Sequence, residues 1–308
     1  MSARRLGTCA LFCSQEVMFH VKHVLVTGGR GMLGTAVAQR FPSSEAELLL
    51  LDLPELDVTR PETVAPPLHS FRPDVVIHCA AMTNVDGCET DPNAAYRVNA
   101  YGTFVLAAEC AERQVPLIYI STDFVFDGQR DGPYTEGDPP SPISTYGWSK
   151  LLGEEVVSRL VARHCIVRTA WTFAPWGHNF VRSILRAARE RPELQVVDDQ
   201  VGSPTYAPDL AEGLWRLTAA QAEGTFHLTN AGAVSRYEFA REIVAAAGLD
   251  VPVRPIKSAD LNHPARRPAF APLVSSRLAD LGLAPLRPYQ EALAECVALI
   301  KARGGDAF

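Results

Sequence analysis

Three side chains with acid–base chemistry stand out in the central part of the chain. Tyr146 and Lys150 are four residues apart at the start of a predicted helix, which places both side chains on one helix face. A free phenol has a pKa near ~10, and a neighbouring ammonium group is expected to lower it. Thr122 follows a predicted strand, and its hydroxyl could polarise a carbonyl while Tyr146 donates a proton. The three residues therefore predict a catalytic centre for proton transfer.

A glycine-rich turn lies between the first predicted strand, residues 23–27, and a predicted helix over residues 32–41. In such a turn the first glycine allows a tight bend, the second lets a pyrophosphate approach the backbone, and the third lets helix and strand pack closely. The helix N-terminus adds free N–H donors and roughly half a positive charge. The pattern predicts a site for NADH or NADPH. Its predicted cofactor contacts are Gly28, Arg30, Gly31, Met32, Leu33 and Gly34.

Two charged residues beside this turn favour different cofactors. Asp52 ends the second predicted strand, near the position where an acidic residue binds the adenosine ribose, and it favours NADH over NADPH. Arg30 lies within the turn, where it would either contact a phosphate or extend into solvent. The choice between NADH and NADPH stays open at this point.

The elements that position these residues alternate between strands and helices. Apolar runs predict strands over residues 23–27, 47–52, 73–80, 116–121 and 165–168, and helical periodicity covers residues 92–114 and 146–163. Parallel strands need crossover helices, so the fold class is predicted to be α/β. We expect a Rossmann-type doubly wound parallel sheet with a smaller C-terminal α/β substrate lobe.

The later part of the chain has more scattered elements. Strands are predicted over residues 195–197 and 225–228, and Ser235 is expected to cap a helix over residues 236–247 with Glu238 completing a capping box. The predicted domains are a NAD(P)-binding domain over residues 21–170 and a substrate-binding lobe over residues 171–308, with the chain free to cross between them.

The first twenty residues are predicted to be a disordered extension. An apolar run follows Arg4 and Arg5, but no small-residue cleavage site follows it, so a secretory signal is disfavoured. Cys9 and Cys13 have no second pair to complete a zinc site, and the seven cysteines are irregularly spaced. Reduced thiols, a cytoplasmic location and no bound metal are expected.

Composition narrows the classes of partner. The 308 residues include 29 basic and 35 acidic side chains, a net charge of −6, which argues against a dedicated nucleic-acid binder. No apolar run approaches the ~20 residues that a membrane crossing needs. An anionic small molecule remains compatible, since helix N-termini and a few arginines can hold phosphates in an acidic protein.

Together with the glycine turn and the Tyr146–Lys150 pair, several stretches resemble the dTDP-4-dehydrorhamnose reductase family of extended short-chain dehydrogenase/reductases. The resemblance runs from residue 24 to about residue 302. The stretches are AAMTNVD (80–86), STDFVF (121–126), RTAW (168–171), NF (179–180), DQVGSPT (199–205) and ARRP (265–268).

The resemblance implies reduction of the C4 keto group of dTDP-4-dehydro-L-rhamnose to dTDP-L-rhamnose, with Tyr146 as the general acid. It implies that Lys150 tunes Tyr146 and holds the nicotinamide ribose, while Thr122 orients the carbonyl oxygen. The further cofactor contacts that it implies are Ala80, Ala81, Thr83 and Asn99. Its implied substrate contacts are Asp123 and Trp171 on the sugar, with Asn179, Gln200 and Arg267 on the nucleotide diphosphate.

Simpler roles remain for three of these residues. Trp171 could be a core residue, Asn179 a helix cap, and Arg267 a solvated charge. Some members of the family bind magnesium at a dimer interface through a Glu after the turn, but Thr35 and Ala36 stand here, so neither that metal nor that dimer is predicted. Another form of homodimer stays open.

Two other functions also remain open. Dehydratases of this class place an acid–base Asp-Glu pair after the active-site Thr, but Phe124 follows Asp123 here, which disfavours dehydration. A sugar-nucleotide epimerase is excluded less firmly. A non-catalytic NADP-binding subunit, similar to the regulatory β-subunit of methionine adenosyltransferase, is the third hypothesis.

One residue near the implied substrate site departs from the family pattern. Members of the family often carry Ser where this chain has Ala271, so the substrate contacts next to Arg267 and Pro268 are less well supported by the resemblance.

Overall fold

A six-stranded parallel sheet lies at the centre of the protein, in a computed structural model that describes residues 21–303. The predicted disordered extension over residues 1–20, with Cys9 and Cys13, lies outside the described residues. The strands are β1 (His23–Thr27), β2 (Glu47–Leu51), β3 (Val75–His78), β4 (Leu117–Thr122), β5 (His164–Thr169), β6 (Thr172–Phe173), β7 (Leu194–Val197), β8 (Val201–Gly202), β9 (Thr205–Tyr206), β10 (Gly224–His227), β11 (Asn230–Ala231), β12 (Val234–Ser235), β13 (Val253–Ile256) and β14 (Leu286–Pro288).

The helices alternate with these strands, as the predicted fold class requires. They are α1 (Met32–Arg40), α2 (Pro61–Phe71), α3 (Val85–Thr90), α4 (Pro92–Tyr96), α5 (Thr103–Glu112), α6 (Thr145–Leu160), α7 (Phe180–Glu190), α8 (Ala207–Ala219), α9 (Arg236–Ala247) and α10 (Tyr289–Ala302). Among residues 21–303, no helix combines the length and apolar character that crossing a bilayer requires.

The order of the central sheet is β10-β5-β4-β3-β1-β2, with every neighbouring pair parallel. Helices cover both faces of this sheet, and its strands accordingly carry apolar side chains on both faces. Val24 and Val26 of β1 pack into the core beneath α1 and α8, whereas Leu25 packs into the opposite core with Leu106 and Val157. The prediction of a Rossmann-type doubly wound sheet is confirmed.

The sixth strand of this sheet comes from far along the chain. β10, predicted over residues 225–228, pairs with β5 in parallel, after α8 has packed against α1. Residues beyond 170 therefore complete the edge of the central sheet, and the chain then leaves it again.

A smaller α/β unit surrounds a second apolar core beside the sheet. Helices α7, α9 and α10 pack there with the parallel pair β7 and β13. The predicted cap of α9 is confirmed, since the Ser235 side chain accepts a hydrogen bond from the Glu238 backbone N–H at 3.0 Å. This unit is the smaller C-terminal lobe that the sequence predicts.

The predicted helix over residues 92–114 is interrupted. Between α4 and α5 the segment Arg97–Gly102 forms a π-helix, a wider turn that shifts the register of the residues around it. Asn99 lies within this segment and is buried. The irregular turn thus positions one of the residues expected near the cofactor.

Candidate active site

The predicted site residues converge at the carboxyl ends of the central strands. Thr122 is the last residue of β4, the glycine turn follows β1, and Ala80 follows β3. Open parallel sheets bind their ligands at this edge, where the chain passes from strand to loop. The fold therefore brings together groups that are far apart in the sequence.

The glycine turn has the shape that a dinucleotide needs. Gly28 has a φ of +69°, and a Cβ there would lie 2.7 Å from the Ala80 backbone nitrogen. A Cβ on Gly34 would lie 2.6 Å from the Cα of Gly29, so this position serves close packing. At Gly31 a Cβ would meet only the Gly28 carbonyl oxygen within 4 Å, at 3.1 Å. The backbone at Gly31 is open to a ligand, and the turn fits a bound pyrophosphate.

The helix that follows the turn also contacts the second lobe. Met32 and Leu33 are partly buried at the start of α1, and the Trp176 indole donates a hydrogen bond to the Met32 carbonyl at 3.1 Å. The start of α1 is therefore joined to the segment that follows β6.

Asp52 and Arg30 lie side by side at the edge of the glycine turn. The Asp52 carboxylate accepts hydrogen bonds from the backbone nitrogens of Arg30 and Leu53, at 2.9 and 2.8 Å. The Arg30 guanidinium pairs with Glu55 at 2.6 Å and contacts the Leu53 carbonyl. Glu55 thus competes with any phosphate for Arg30, while both Asp52 oxygens keep a free lone pair.

Asn99 fastens the loop after β3 to the helix that carries Tyr146. Its side-chain oxygen accepts from the Met82 backbone nitrogen at 2.8 Å, and its amide donates to the Met82 carbonyl and the Ser149 hydroxyl. Ala80 and Ala81 lie partly buried in this loop, with Thr83 exposed. Asn99 thereby fixes the three residues expected to line the cofactor.

A buried histidine connects the same region to the first strand. His78 bonds the Thr27 hydroxyl at 2.7 Å through Nδ1 and the Thr103 hydroxyl at 3.1 Å through Nε2. Burial, aided by the positive charge of Lys150, lowers the pKa of His78 to about 3. Sequence analysis missed this residue, although a histidine at the end of a fully apolar strand is a signal for a satisfied buried polar group.

The first turn of α6 places the Tyr146 phenol against the end of β4. The Ser144 side chain caps the helix by accepting from the Gly147 nitrogen, and the Phe124 ring contacts the Tyr146 ring edge-on at 5.4 Å. Tyr146 and Thr122 are both buried, and the Thr122 side chain is near enough to the phenol to lower its pKa, against the effect of burial. The structure therefore brings together the proton donor and the hydroxyl that the sequence predicts.

The protonation of Tyr146 differs from the expectation. Burial raises the pKa of Tyr146 well above its ordinary value, and the hydrogen bond with Thr122 only partly opposes the rise. Lys150 is not among the groups that shift the pKa of Tyr146 in the protein alone, so the lowering predicted from its ammonium is not seen there. A phenol that keeps its proton is the form that a general acid needs.

Lys150 is buried one turn further along α6. Its ammonium lies 4.1 Å from the centroid of the Tyr119 ring, and the Tyr119 hydroxyl donates to the Lys150 carbonyl at 3.2 Å. Burial lowers the pKa of Lys150 to about 7, against the opposing negative charge of Glu154. Its charge state is therefore sensitive to pH near neutrality.

A buried ion pair behind Lys150 was also missed. Glu154 receives two hydrogen bonds of 2.9 and 2.6 Å from the Arg168 guanidinium, and a third of 2.5 Å from the Ser121 hydroxyl. The pair links α6 to β5 and β4, directly beneath Thr122. The spacing of Lys150 and Glu154, four residues apart on one helix, is the signal that could have found it.

The residues expected at the sugar are held by different means. Asp123 is buried and accepts a hydrogen bond from the Thr122 hydroxyl at 2.9 Å. Burial raises the pKa of Asp123 to about 6, although the bond from Thr122 and the charge of Arg236 oppose the rise. Trp171 has a left-handed backbone with a φ of +45°, which turns its indole toward Gly202.

A cavity of about 480 Å³ opens beside this centre in the second lobe. Of the five residues expected at the substrate, all but Asp123 line it, and its lining contains no Asp or Glu among residues 21–303. The cationic and imidazole side chains on its wall are Arg236, Arg267, His178 and His263. The cavity is therefore suited to an anion.

Three of the predicted diphosphate contacts already have protein partners. Asn179 caps α7 and donates to the Ala174 and Trp176 carbonyls, at 2.9 and 3.0 Å. The Gln200 amide donates to the Ser258 hydroxyl at 2.9 Å. Arg267 forms two hydrogen bonds with Asp86, of 3.1 and 2.7 Å, and these lower the pKa of Asp86.

Comparison with known proteins places this site in a familiar group. Residues 22–302 match the family model described as the RmlD substrate binding domain. The chain is similar to a dTDP-4-dehydrorhamnose reductase of Mycobacterium tuberculosis, 39% identical over 90% of this chain and 93% of that protein. It is also 38% identical, over 88% of the chain and 93% of the relative, to a Streptomyces antibioticus protein named as a probable dTDP-4,6-dihydroxy-2-methyloxan-3-one 4-ketoreductase. A solved structure of a Bacillus anthracis dTDP-4-dehydrorhamnose reductase in complex with NADP has a TM-score of 0.88 and 35% identity, covering 91% of this chain and 99% of that chain.

Proposed function

The chain belongs to the dTDP-4-dehydrorhamnose reductase family, and we propose that it reduces the C4 keto group of dTDP-4-dehydro-L-rhamnose to dTDP-L-rhamnose. It is an NAD(P)H-dependent oxidoreductase. The observation that carries the proposal is the buried pair of Thr122 and Tyr146 at the end of β4, between an open glycine turn and a cavity without carboxylates.

NADPH or NADH would be held along the edge of the central sheet. When bound, the reduced nicotinamide supplies the hydride. The glycine turn would hold the pyrophosphate through backbone N–H groups, and Asp52 or Arg30 would meet the adenosine ribose. Lys150 would hold the nicotinamide ribose, with the Asn99-fixed loop lining the same side.

Tyr146 would protonate the substrate oxygen. Because burial raises its pKa, the phenol is protonated at rest and has a proton to give when negative charge develops on O4. Thr122 donates a hydrogen bond to Asp123, which fixes the position of its hydroxyl before the substrate binds. Asp123 holds the single Thr122 hydroxyl proton in the protein alone, so Thr122 would turn that proton to O4 as negative charge develops there.

The two parts of the chain would bind different ligands in this arrangement. We propose residues 21–170 as the principal cofactor domain and residues 171–308 as the substrate lobe, with β10 crossing back into the sheet. A cytoplasmic location agrees with the free thiols of the five cysteines within the described residues.

The direct test is turnover with the purified chain. Enzymatically prepared dTDP-4-dehydro-L-rhamnose is mixed with NADPH or NADH, and the absorbance of the reduced nicotinamide is followed while NMR identifies the product sugar. Oxidation of either cofactor with formation of dTDP-L-rhamnose is expected. An epimerase would interconvert sugars without net oxidation, and a regulatory subunit would bind NADPH without turnover; either result would contradict the proposal.

A further inference from the structure

One cation on the cavity wall differs from the others in its hydrogen bonds. Arg267 is bound by Asp86, and His263 lies 3.4 Å from the same carboxylate. The Arg236 guanidinium donates no hydrogen bond to any of residues 21–303, although it lines the cavity. A guanidinium has five N–H donors in a fixed planar fork, and here the protein leaves them unused.

Arg236 is nevertheless held in place by its backbone. It is the first residue of α9, and its backbone nitrogen donates to the Gln200 carbonyl at 3.0 Å. The preceding residue, Ser235, pairs with Val201 in the antiparallel β8–β12 ladder and caps the helix. The start of α9 is thereby fixed against β8 and against Gln200, which lines the cavity.

Aromatic rings fix the side chain as well. The guanidinium carbon lies 3.5 Å from the centroid of the Trp171 ring and 4.8 Å from that of Phe180. The indole also packs against Gly202, where an added Cβ would lie 2.7 Å from Trp171 Cζ2. Stacking between planar groups holds the guanidinium plane while leaving its N–H edges free.

The positive charge of Arg236 is not fully balanced by the negative charges around it. Burial lowers the pKa of Arg236 to about 10, even though the Asp123 carboxylate opposes this. Asp123 already accepts from the Thr122 hydroxyl and is itself buried. Arg236 is therefore a positive group at neutral pH, partly removed from water, and a second anion would stabilise it.

We propose that Arg236 is the principal anchor of the substrate's diphosphate, bound through its guanidinium fork above Trp171. The proposal rests on the proposed function, since it assigns the anionic part of that substrate. It assigns this role to Arg236 before Arg267, which also lines the cavity but ties the loop at residues 265–268 to α3 through Asp86. The charge of Asp123 acts on Arg236, and Asp123 bonds Thr122, so a diphosphate held at Arg236 would set the sugar toward Thr122.

The test separates binding of the diphosphate from turnover. Titration calorimetry measures binding of dTDP and of thymidine to the full chain, for the native protein and for Arg236→Gln. We expect the substitution to weaken dTDP binding about 10- to 100-fold, the loss typical of a charge-assisted pair, and to leave thymidine binding unchanged. Arg241→Gln is the matched control, because Arg241 lies exposed on the same helix and its loss changes the net charge equally.

Arg236→Lys keeps the charge and tests the fork, and it also serves if Arg236→Gln does not fold. Lys should restore only part of the dTDP affinity, since an ammonium cannot form a bidentate pair or stack on an indole. The assignment of Arg236 would be overturned if the Arg236 variant bound dTDP as tightly as the native protein and Arg241→Gln do. This holds whether or not the native protein reduces the sugar. Native protein that binds dTDP through Arg236 but reduces no sugar would overturn the proposed function instead, and failure to bind dTDP at all would overturn both.

Discussion

The reacting end of the site and the wall of the substrate cavity use their polar groups in opposite ways. Around Tyr146, the side chains of Asn99, Glu154 and His78 have their polar atoms bonded to other protein groups. On the cavity wall, Arg236 is stacked on Trp171, and its N–H groups donate no hydrogen bond to the part of the chain that the structure describes. Among residues 21–303, the groups that hold the reacting end have protein partners for their polar atoms, with Arg168 Nη1 as an unpaired exception, whereas the group proposed to bind a ligand has its whole guanidinium edge free.

Removal of the proton donor should have the largest effect on the reacting end. Tyr146→Phe is expected to lower kcat about 10²- to 10⁴-fold, since the general acid is lost while the packing of the ring against Phe124 remains. Dissociation constants for NADPH should stay within a factor of two or so. The exposed Tyr101 supplies the control Tyr101→Phe, which should retain full turnover. Native-like kcat in Tyr146→Phe would remove Tyr146 from its role.

The saturated network should be essential to stability as well. Glu154→Gln leaves the Arg168 charge buried without a counter-charge, and we expect a loss of about 3–5 kcal/mol in the free energy of unfolding. Glu155→Gln breaks the exposed pair with Arg159 on the same helix and should cost about 0–1 kcal/mol. Urea unfolding measures both. If both variants lost the same free energy of unfolding, the buried Glu154–Arg168 pair would contribute no more to stability than the exposed pair.

The free energy of unfolding should depend on pH because of Lys150, unlike its neighbours whose polar atoms are hydrogen-bonded. The pKa of about 7 in the folded protein lies below the ordinary value of 10.5, so between these pH values the unfolded chain binds the extra proton. Between these pH values the free energy of unfolding therefore increases with pH because of Lys150, by up to about 1.4 kcal/mol per pH unit. Lys150→Met should be more stable than the native protein at pH 7 and lose this advantage toward pH 9. A difference that is constant across urea unfolding at pH 7, 8 and 9 would show that folded Lys150 stays charged throughout.

The smallest effect is expected at the cofactor edge, where opposite charges lie together. Asp52→Ala should increase the preference for NADPH over NADH by roughly tenfold, about 1.4 kcal/mol, because a carboxylate no longer faces the 2′-phosphate. Steady-state kcat/KM with each cofactor measures the ratio. Glu47→Ala, at the exposed other end of β2, should leave it unchanged. An unaltered ratio in Asp52→Ala would place Asp52 away from the ribose.

Local patterns in the sequence were sufficient for much of the fold and for the reacting centre. The central strands, the glycine turn and the Ser235 cap follow from residue periodicity and from neighbours a few positions apart. Thr122 and Tyr146 could be paired because a strand end and a helix start each have a fixed place in a parallel α/β sheet.

Contacts between distant residues could not be predicted in the same way. The Arg267–Asp86 pair spans 181 positions, and Asn99, within the π-helix, bonds Met82 and Ser149, which are 17 and 50 positions away. Arg236 follows a cap residue at a helix start, which gives no indication that its side chain faces a cavity. These features depend on tertiary packing, which a single sequence does not contain.

The late arrival of β10 has a consequence for synthesis of the chain. β5 is complete at Thr169, but its neighbour in the sheet is translated only after roughly 55 further residues. Until then one edge of β5 offers unpaired backbone groups, the kind of edge on which chains associate. A ribosome-bound chain that ends near residue 170 should therefore depend on chaperones, and a gene cut at that boundary should yield aggregated protein rather than a free cofactor domain.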